Sequence, residues 1–278
     1  MKNEKLKERT TIYYAVLMAM SATLMGLKFF PAANGLHSPS DIYLHGLLLF
    51  SGTFLAYSIS FPPPFLDISR GKIVHRKINL LILISFLLCI TLPFFVFIPP
   101  GYMIQYGLAG LLSLFYYTGF SAKKIRFGGA RTVFLLKNIV LALAWAFATS
   151  PISSDEMGSL FLFFNRFMFV MALSLVIDIR DIASDGQKRI ITIPAKAGIL
   201  PTKIISGILL IAGTAFTLKS HQTGFIPLSI FTASAISTLS TIIAISFVQK
   251  KSSSLLFLLL VDGNLLLHGI LFSLSNNN

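Results

Sequence analysis

The stretch SLFLFFNRFMFVMALSLVIDIRDIASD, residues 159–185, decides the class of fold, because an apolar run leads directly into a cluster of acidic residues. A helix needs about 20 apolar residues to cross roughly 30 Å of hydrocarbon, and the run before the first aspartate approaches that length. In lipid, backbone polar groups must pair within their own segment, so such a run predicts a membrane-spanning helix.

Similar runs recur along the whole chain, of which 55% is hydrophobic and only 12% is charged. This composition is too apolar for a soluble domain of 278 residues. It predicts an all-α integral membrane protein, a bundle of about nine transmembrane helices that form a single polytopic domain over residues 1–278. The predicted spans are residues 11–31, 41–61, 79–98, 101–118, 132–150, 157–177, 199–218, 225–248 and 254–274.

Basic residues exceed acidic residues by 23 to 10 and give the chain a formal charge of +13. In a soluble protein this excess would suggest a nucleic-acid partner. Here the Lys and Arg residues fall in the N-terminal tail and in alternate connections, which is the pattern of cytoplasmic loops. We therefore predict a cytoplasmic N-terminus, an outside C-terminus, and the lipid bilayer of a bacterial cytoplasmic membrane, rather than nucleic acid, as the partner.

The densest chemical signal is the set Asp178, Asp181 and Asp185 at the cytoplasmic end of the sixth span. At this spacing, three side chains of a helix fall within an arc of about 60° and form one acidic stripe. Three close carboxylates repel one another, and a cation relieves the repulsion. Hard oxygen ligands suit Mg²⁺, which also bridges to phosphate oxygens. The alternative is a solvated helix end whose acidic residues pair with Arg180 and its basic neighbours.

Three predicted cytoplasmic connections are longer than a tight turn requires: residues 62–78, 119–131 and 178–197. Long connections of this kind carry functional residues more often than short ones do. Because all three face the same compartment in the predicted topology, they can converge on one site. Two charged residues at membrane depth, Arg166 and Asp262, can form an ion pair inside the bundle.

Several of these residues resemble motifs of the UbiA superfamily of intramembrane prenyltransferases. The second acidic motif of that family, DxxDxxxD followed by a TLP-like tripeptide, is similar to the aspartates at 178, 181 and 185 followed by Thr192-Ile193-Pro194. The stretch from Phe115-Tyr116-Tyr117 through Lys123-Lys124 to Leu136-Lys137-Asn138 and Ala144-Trp145 resembles the fourth loop and fifth helix of the family.

The resemblance implies a Mg²⁺-dependent transferase that moves an isoprenoid chain from a prenyl diphosphate to an aromatic or lipophilic acceptor. The diphosphate would lie at the cytoplasmic mouth of the bundle, and the prenyl tail would run between helices. The aspartates at 178, 181 and 185 would act as catalytic residues and hold Mg²⁺. The other residues predicted to bind the substrate are Asp67, Tyr116, Tyr117, Lys123, Lys124, Arg126, Lys137 and Arg180.

One motif of the family is missing from the chain. The end of the second span reads AYSISFPPPFLD, residues 56–67, without the Asn-Asp pair of the first acidic motif, so Asp67 alone can replace one of its ligands. The absence favours an alternative function, a non-catalytic membrane protein that binds an isoprenoid diphosphate or a partner. A third possible function is that of a small membrane transporter, which the charges at membrane depth favour.

Overall fold

The computed structural model describes residues 2–27, 39–60, 76–95, 100–117, 120–122, 125–127, 129–150, 157–187, 190–249 and 254–275. Of the residues predicted to bind substrate, Asp67, Lys123 and Lys124 lie outside the described residues. Tyr117 and Arg126 belong to described elements, but their side chains lie outside the described part.

The described chain is almost entirely helical, as the apolar runs predict. The first helices are α1 (Lys2–Leu27), α2 (Pro39–Ser60), α3 (Arg76–Phe95) and α4 (Pro100–Tyr117), and a short 3₁₀ turn (Ala130–Thr132) precedes α5 (Leu136–Thr149). The later elements are α6 (Met157–Gln187), α7 (Ile193–Ala197), α8 (Ile199–Gln222), α9 (Leu228–Phe247), α10 (Ser254–Phe257), a π turn (Leu258–Asp262) and α11 (Gly263–Leu274).

Each predicted span overlaps helical structure in the part of the chain that the structure describes, and the ninth is divided into α10, the π turn and α11. The sixth span was predicted to end at residue 177, whereas α6 continues to Gln187 and carries the whole acidic stripe. The connection over residues 119–131 contains a small antiparallel hairpin of β1 (Phe120–Ala122) and β2 (Ile125–Phe127).

The helices pack side by side around a ring in which α2 meets α4 and α11 closes against α1, while α3 packs on α2. Within the ring, α6 packs against both α5 and α8. The largest described core cluster lies where α1, α5 and α6 meet and includes Met18, Trp145 and Phe169. This arrangement buries the middle of α6 on most of its circumference and places its last turns beside the start of α5.

The outward face of α8 carries an apolar stripe that is suited to lipid. Leu200, Ile204, Ile208 and Ile211 follow helical spacing, and each is more than half exposed. A stripe of this kind on a soluble monomer would be unusual, whereas lipid tails solvate it well. Within the described residues, α6, α8 and α9 are long and apolar enough to cross a membrane by length and composition. The number of crossings and the orientation of the termini stay predictions.

Small and polar residues bring α6 and α8 close together. The Asn165 side-chain amide donates a hydrogen bond to the Gly213 carbonyl at 2.9 Å, and a Cβ on Gly213 would lie 3.3 Å from the Asn165 carbonyl oxygen and from Met168 Cβ. In membrane bundles, glycine at such a position allows close approach of helix backbones. The contact therefore fixes the position of α6, which carries the acidic stripe.

We expect Gly213→Val to lower the free energy of unfolding by about 1–3 kcal/mol, because the added methyl groups overpack this contact. The matched control is Gly207→Val on the same helix, where an added Cβ meets no atom within 4 Å. We expect the control to change stability by less than about 0.5 kcal/mol. Urea denaturation in detergent micelles measures both values. Equal losses in the two variants would contradict the close packing of α6 on α8.

Candidate functional site

The start of α5 brings a lysine and an asparagine against the last turns of α6. The helix follows Leu135, whose φ of 61° and ψ of −32° lie in a region that a branched side chain rarely adopts. Leu135 nevertheless packs against the main core cluster, which holds it in this conformation. Its backbone sets the direction in which α5 begins, and Lys137 and Asn138 follow in the first turn.

Lys137 forms a buried bridge between two aspartates of α6. Its Nζ lies 2.8 Å from Asp178 Oδ1 and 2.8 Å from Asp185 Oδ2. The side chains of Lys137, Asp178 and Asp185 are 8%, 6% and 10% exposed, respectively. Because burial removes each charge from water, the three groups depend on one another for stabilisation.

The helix dipoles do not explain this placement. Lys137 lies at the N-terminal end of α5 and Asp185 in the last turn of α6, whereas a cation is favoured at a C-terminus and an anion at an N-terminus. Both charges therefore stand against the dipole of their own helix. Their mutual contact, rather than a local helix preference, stabilises this arrangement.

Asn138 provides a second hydrogen-bond donor to Asp178. Its amide nitrogen donates to Asp178 Oδ2 at 3.1 Å and to Ser174 Oγ at 3.2 Å. The Ser174 hydroxyl in turn donates to the Met171 carbonyl at 2.8 Å. Both carboxylate oxygens of Asp178 are therefore engaged, one by the Lys137 ammonium and one by the Asn138 amide.

Asp181 has a different partner from the two neighbouring aspartates. Its Oδ1 accepts a hydrogen bond from Arg180 Nε at 2.9 Å, and both side chains are about one-third exposed. An ion pair with this much exposure contributes about 0–1 kcal/mol, since water competes for both groups. Asp181 is therefore the aspartate of the stripe that can change partner at the lowest energetic cost.

All three aspartates line one small cavity of about 60 Å³ between α5 and α6. The predicted acidic stripe thus lies on one face of α6, as the spacing indicates. Tyr116 of α4 and Arg131 of the 3₁₀ turn complete the polar wall. The other lining residues are Lys137, Asn138, Leu141, Ser174 and Ile177. The cavity therefore joins carboxylates, an ammonium, a guanidinium and a phenol.

This arrangement does not fit the Mg²⁺ site that the sequence predicts. Among the residues that the structure describes, no three His, Cys, Asp or Glu side chains form a group that could hold a metal ion. Mg²⁺ requires open carboxylate oxygens at about 2.0–2.1 Å, and the Lys137 ammonium engages Asp178 and Asp185 instead. The physical reason for the difference is that α5 delivers a cation of its own to the stripe.

An aromatic group lies farther along α5, beyond the cavity. Trp145 is buried, donates a hydrogen bond from Nε1 to the Tyr57 hydroxyl at 3.0 Å, and contacts the Tyr57 ring edge-on. The ring of Tyr57 also meets Tyr14 edge-on, with centroids 5.6 Å apart. Trp145 follows Asn138 by seven residues, so it lies on the same face of α5 about 10 Å along the axis.

Of the residues predicted to bind the substrate, the structure places Tyr116 and Lys137 on the cavity wall and pairs Arg180 with Asp181. Sequence reasoning did not select Arg131, Asn138 or Ser174 as site residues. Arg131 ends the basic connection before α5, and Asn138 adjoins Lys137, so proximity to selected residues was the available signal. Ser174 lies one helical turn before Asp178, and its place in the stripe follows from that spacing.

The pair of Arg166 and Asp262, which the sequence allows, is not among the ion pairs of the described residues. Arg166 contacts the imidazole of His268, and its guanidinium lies over the Phe272 ring at 3.9 Å. His268 also stacks on Phe169, with ring centroids 4.1 Å apart, and Ser237 lies 2.5 Å from its Nδ1. Asp262 ends the π turn before α11. These contacts place Arg166 in a separate cluster inside the bundle.

The overall fold is similar to those of several solved structures. A digeranylgeranylglyceryl phosphate synthase matches with a TM-score of 0.59 and 17% identity, covering 98% of each chain. A UbiA homologue from Archaeoglobus fulgidus bound to GPP and Mg²⁺ matches with a TM-score of 0.52 and 14% identity, covering 95% of this chain and 96% of the other.

Another structure of a UbiA homologue from Archaeoglobus fulgidus, bound to DMAPP and Mg²⁺, has a TM-score of 0.52 and 13% identity and covers 96% and 97% of the two chains. No protein-family model matches the chain, and no curated protein matches it either. The structural likeness confirms the predicted resemblance to the UbiA superfamily at the level of the fold. The chain is accordingly an all-α integral membrane protein.

Proposed function

We propose that the chain is a UbiA-type prenyltransferase of the bacterial cytoplasmic membrane, with a prenyl diphosphate as donor and an aromatic or lipophilic acceptor. The observation that carries the proposal is the buried group of Lys137, Asp178 and Asp185 beside a cavity lined by Arg131. Support also comes from the solved structures with this fold, two of which hold GPP or DMAPP.

The chemistry of prenyl transfer makes two demands on the site. When the allylic C–O bond breaks, its electron pair stays on the diphosphate oxygen, and the remaining carbocation must be kept from water. The acceptor then forms the new bond to carbon and releases a proton. Arg131 and Lys137 provide cationic donors for the leaving group, and each charge-assisted hydrogen bond is worth about 1.5–3 kcal/mol when sheltered.

The second demand falls on the apolar part of the bundle. Leu141 and Ile177 line the cavity on its apolar side, and the hydrogen-bonded pair of Trp145 and Tyr57 lies farther along α5, outside the cavity lining. Aromatic faces also attract a nearby cation, which suits an allylic carbocation. Mg²⁺ is bound in two solved structures with this fold, but Lys137 provides the carboxylates here with another cation. We therefore assign no step to the metal.

The test is a panel of labelled prenyl diphosphates, including dimethylallyl and geranyl diphosphate, with the purified protein in lipid nanodiscs. Binding and the release of diphosphate in the presence of candidate acceptors are measured separately. We expect saturable binding of at least one donor and release of diphosphate that requires an acceptor. If no member of the panel binds saturably, prenyl diphosphate is not the ligand.

A second candidate is a non-catalytic protein that binds an isoprenoid diphosphate. Two observations favour it: the absence of the Asn-Asp pair from the sequence at residues 56–67 and the ion pairs of Lys137 with the aspartates of the stripe. Saturable binding without release of diphosphate under any acceptor condition would select this candidate over the transferase. The transporter alternative predicts instead that a substrate crosses the membrane of a proteoliposome.

We expect Arg131→Ala to weaken the binding of geranyl diphosphate by about tenfold, since the guanidinium can donate two hydrogen bonds to one phosphate. The matched control is Lys203→Ala, which removes a positive charge from α8, where the ammonium donates to the Ser246 carbonyl instead of facing the cavity. Titrations at fixed ionic strength separate the local contact from screening of the general positive charge. Equal effects of the two variants would remove Arg131 from the binding site.

A further inference from the structure

Lys137 lies where a divalent cation would have to bind if the aspartates formed a metal site. The ammonium contacts one oxygen of Asp178 and one of Asp185, and the other oxygen of Asp178 accepts from Asn138. Mg²⁺ binds carboxylate oxygens at about 2.0–2.1 Å, so the ion and the ammonium cannot share this space. Asp178 and Asp185 are therefore already bridged by a cation, the Lys137 ammonium.

We propose that Lys137 is the permanent cation of this site, taking the place of a divalent metal ion between Asp178 and Asp185, so that a prenyl diphosphate binds here without a metal. The identity of the ligand rests on the proposed function, whereas the exclusion of a metal rests on the contacts of Lys137. A covalently tethered ammonium is not removed by a chelator, unlike a bound ion.

The described charges around the cavity balance one another without a metal ion. One ammonium between two carboxylates leaves a single negative charge, which Arg131 on the cavity wall offsets. Asp181 also lines the cavity and pairs with Arg180, so the charges of these six side chains sum to zero. An ammonium has three N–H donors. Among the described residues, Lys137 has two carboxylate partners, so its third donor remains for a phosphate oxygen in the cavity.

The first experiment uses Mn²⁺ alone as the probe and follows its binding by electron paramagnetic resonance. We expect the wild type and Asp178→Asn to give the same Mn²⁺ signal, because no Mn²⁺ binds between the aspartates of the wild type. In Lys137→Gln, the two carboxylates lose their ammonium, and we expect a new Mn²⁺ site that disappears again when Asp178→Asn is added. The glutamine amide can still donate to a carboxylate, which helps the variant to fold.

The second experiment measures the affinity for geranyl diphosphate with a chelator and with Mg²⁺. For wild type we expect the two affinities to agree within about twofold at fixed ionic strength. For Lys137→Gln we expect a loss of about tenfold or more in chelator, because a charge-assisted donor is gone, and recovery when Mn²⁺ is added. Lys203→Gln, which removes a distant positive charge, should behave as wild type.

The outcomes separate this proposal from the proposed function. A wild-type Mn²⁺ site that Asp178→Asn abolishes overturns the role of Lys137, and this comparison requires no Lys137 variant to fold. Geranyl diphosphate binding that disappears in chelator overturns it too, while the proposed function stands. If no prenyl diphosphate binds under any condition but Mn²⁺ behaves as expected, the proposed function is wrong and the role of Lys137 as permanent cation is supported.

Discussion

Lys137→Met is expected to lower the free energy of unfolding by about 3–5 kcal/mol, the usual cost of removing one partner from a buried ion pair. The substitution keeps an unbranched side chain of similar length, so the loss reports charge rather than volume. Asp178 and Asp185 would stay buried and charged, with only the Asn138 amide left to stabilise the first of them.

Denaturation of the detergent-solubilised protein, followed by the fluorescence of its single tryptophan, measures this loss. Trp145 is a suitable probe, because it is buried in the same core cluster as α6 residues. Lys203→Met is the matched control, and we expect it to change stability by less than about 0.5 kcal/mol, as surface substitutions usually do.

A rescue experiment distinguishes unpaired charge from lost packing. Adding Asp178→Asn and Asp185→Asn to Lys137→Met removes both stranded charges, so most of the lost stability should return. Wild-type stability in Lys137→Met alone would show that the ammonium does not bridge the two carboxylates. Failure of the triple variant to recover would assign the loss to packing instead.

The sequence predicts the fold well because lipid imposes one local requirement on every spanning segment. Length and apolar character are properties of a single run, so each predicted span overlaps described helical structure. The acidic stripe is also local, since residues at 178, 181 and 185 share one helical face wherever that helix packs. All three line the same cavity, as the spacing requires.

The end of α6 could not be read from the sequence, because its stability depends on a residue far away in the chain. The apolar run stops at Ile177, which predicts the end of a span, but the helix continues to Gln187. Asp178 and Asp185 are accommodated in it because Lys137, 48 residues before Asp185, reaches both. Lys137 was selected from the sequence as a substrate-binding residue, but local spacing gives no sign that its side chain contacts the aspartates of α6.

The partner of the acidic stripe was also out of reach of sequence reasoning. A cluster of carboxylates predicts a cation, and this inference holds, because a cation lies between Asp178 and Asp185. Its identity is set by tertiary structure, which brings the first turn of α5 against the last turns of α6. Local spacing describes which side chains share a face, but it cannot describe the residues that the facing helix contributes.

Trp145→Ala is expected to have a second large effect, a loss of about 3–5 kcal/mol in the free energy of unfolding. Trp145 is buried at the meeting point of α1, α5 and α6, and its removal leaves a cavity that rigid helices fill poorly. The variant also leaves the Tyr57 hydroxyl without the indole donor. Because it removes the only tryptophan, circular dichroism has to replace fluorescence in this measurement.

Trp145→Phe is the matched control, because it keeps an aromatic ring in the core and removes the indole donor to Tyr57. We expect it to lose only about 1 kcal/mol, the net value of a typical hydrogen bond. Equal stability of the alanine and phenylalanine variants would show that the ring is not part of the packed core.

The position of Trp145 adds a functional expectation to the loss of stability. The residue lies about 10 Å along α5 from Asn138, on the face that borders the cavity, so a prenyl tail leaving the cavity along this face would reach it. Below the unfolding transition, Trp145→Ala should therefore weaken geranyl diphosphate more than dimethylallyl diphosphate, whose tail is one isoprene unit shorter. A parallel loss for the two donors would place the tail along another helix, while a selective loss for geranyl diphosphate would identify α5 as part of the tail-binding wall.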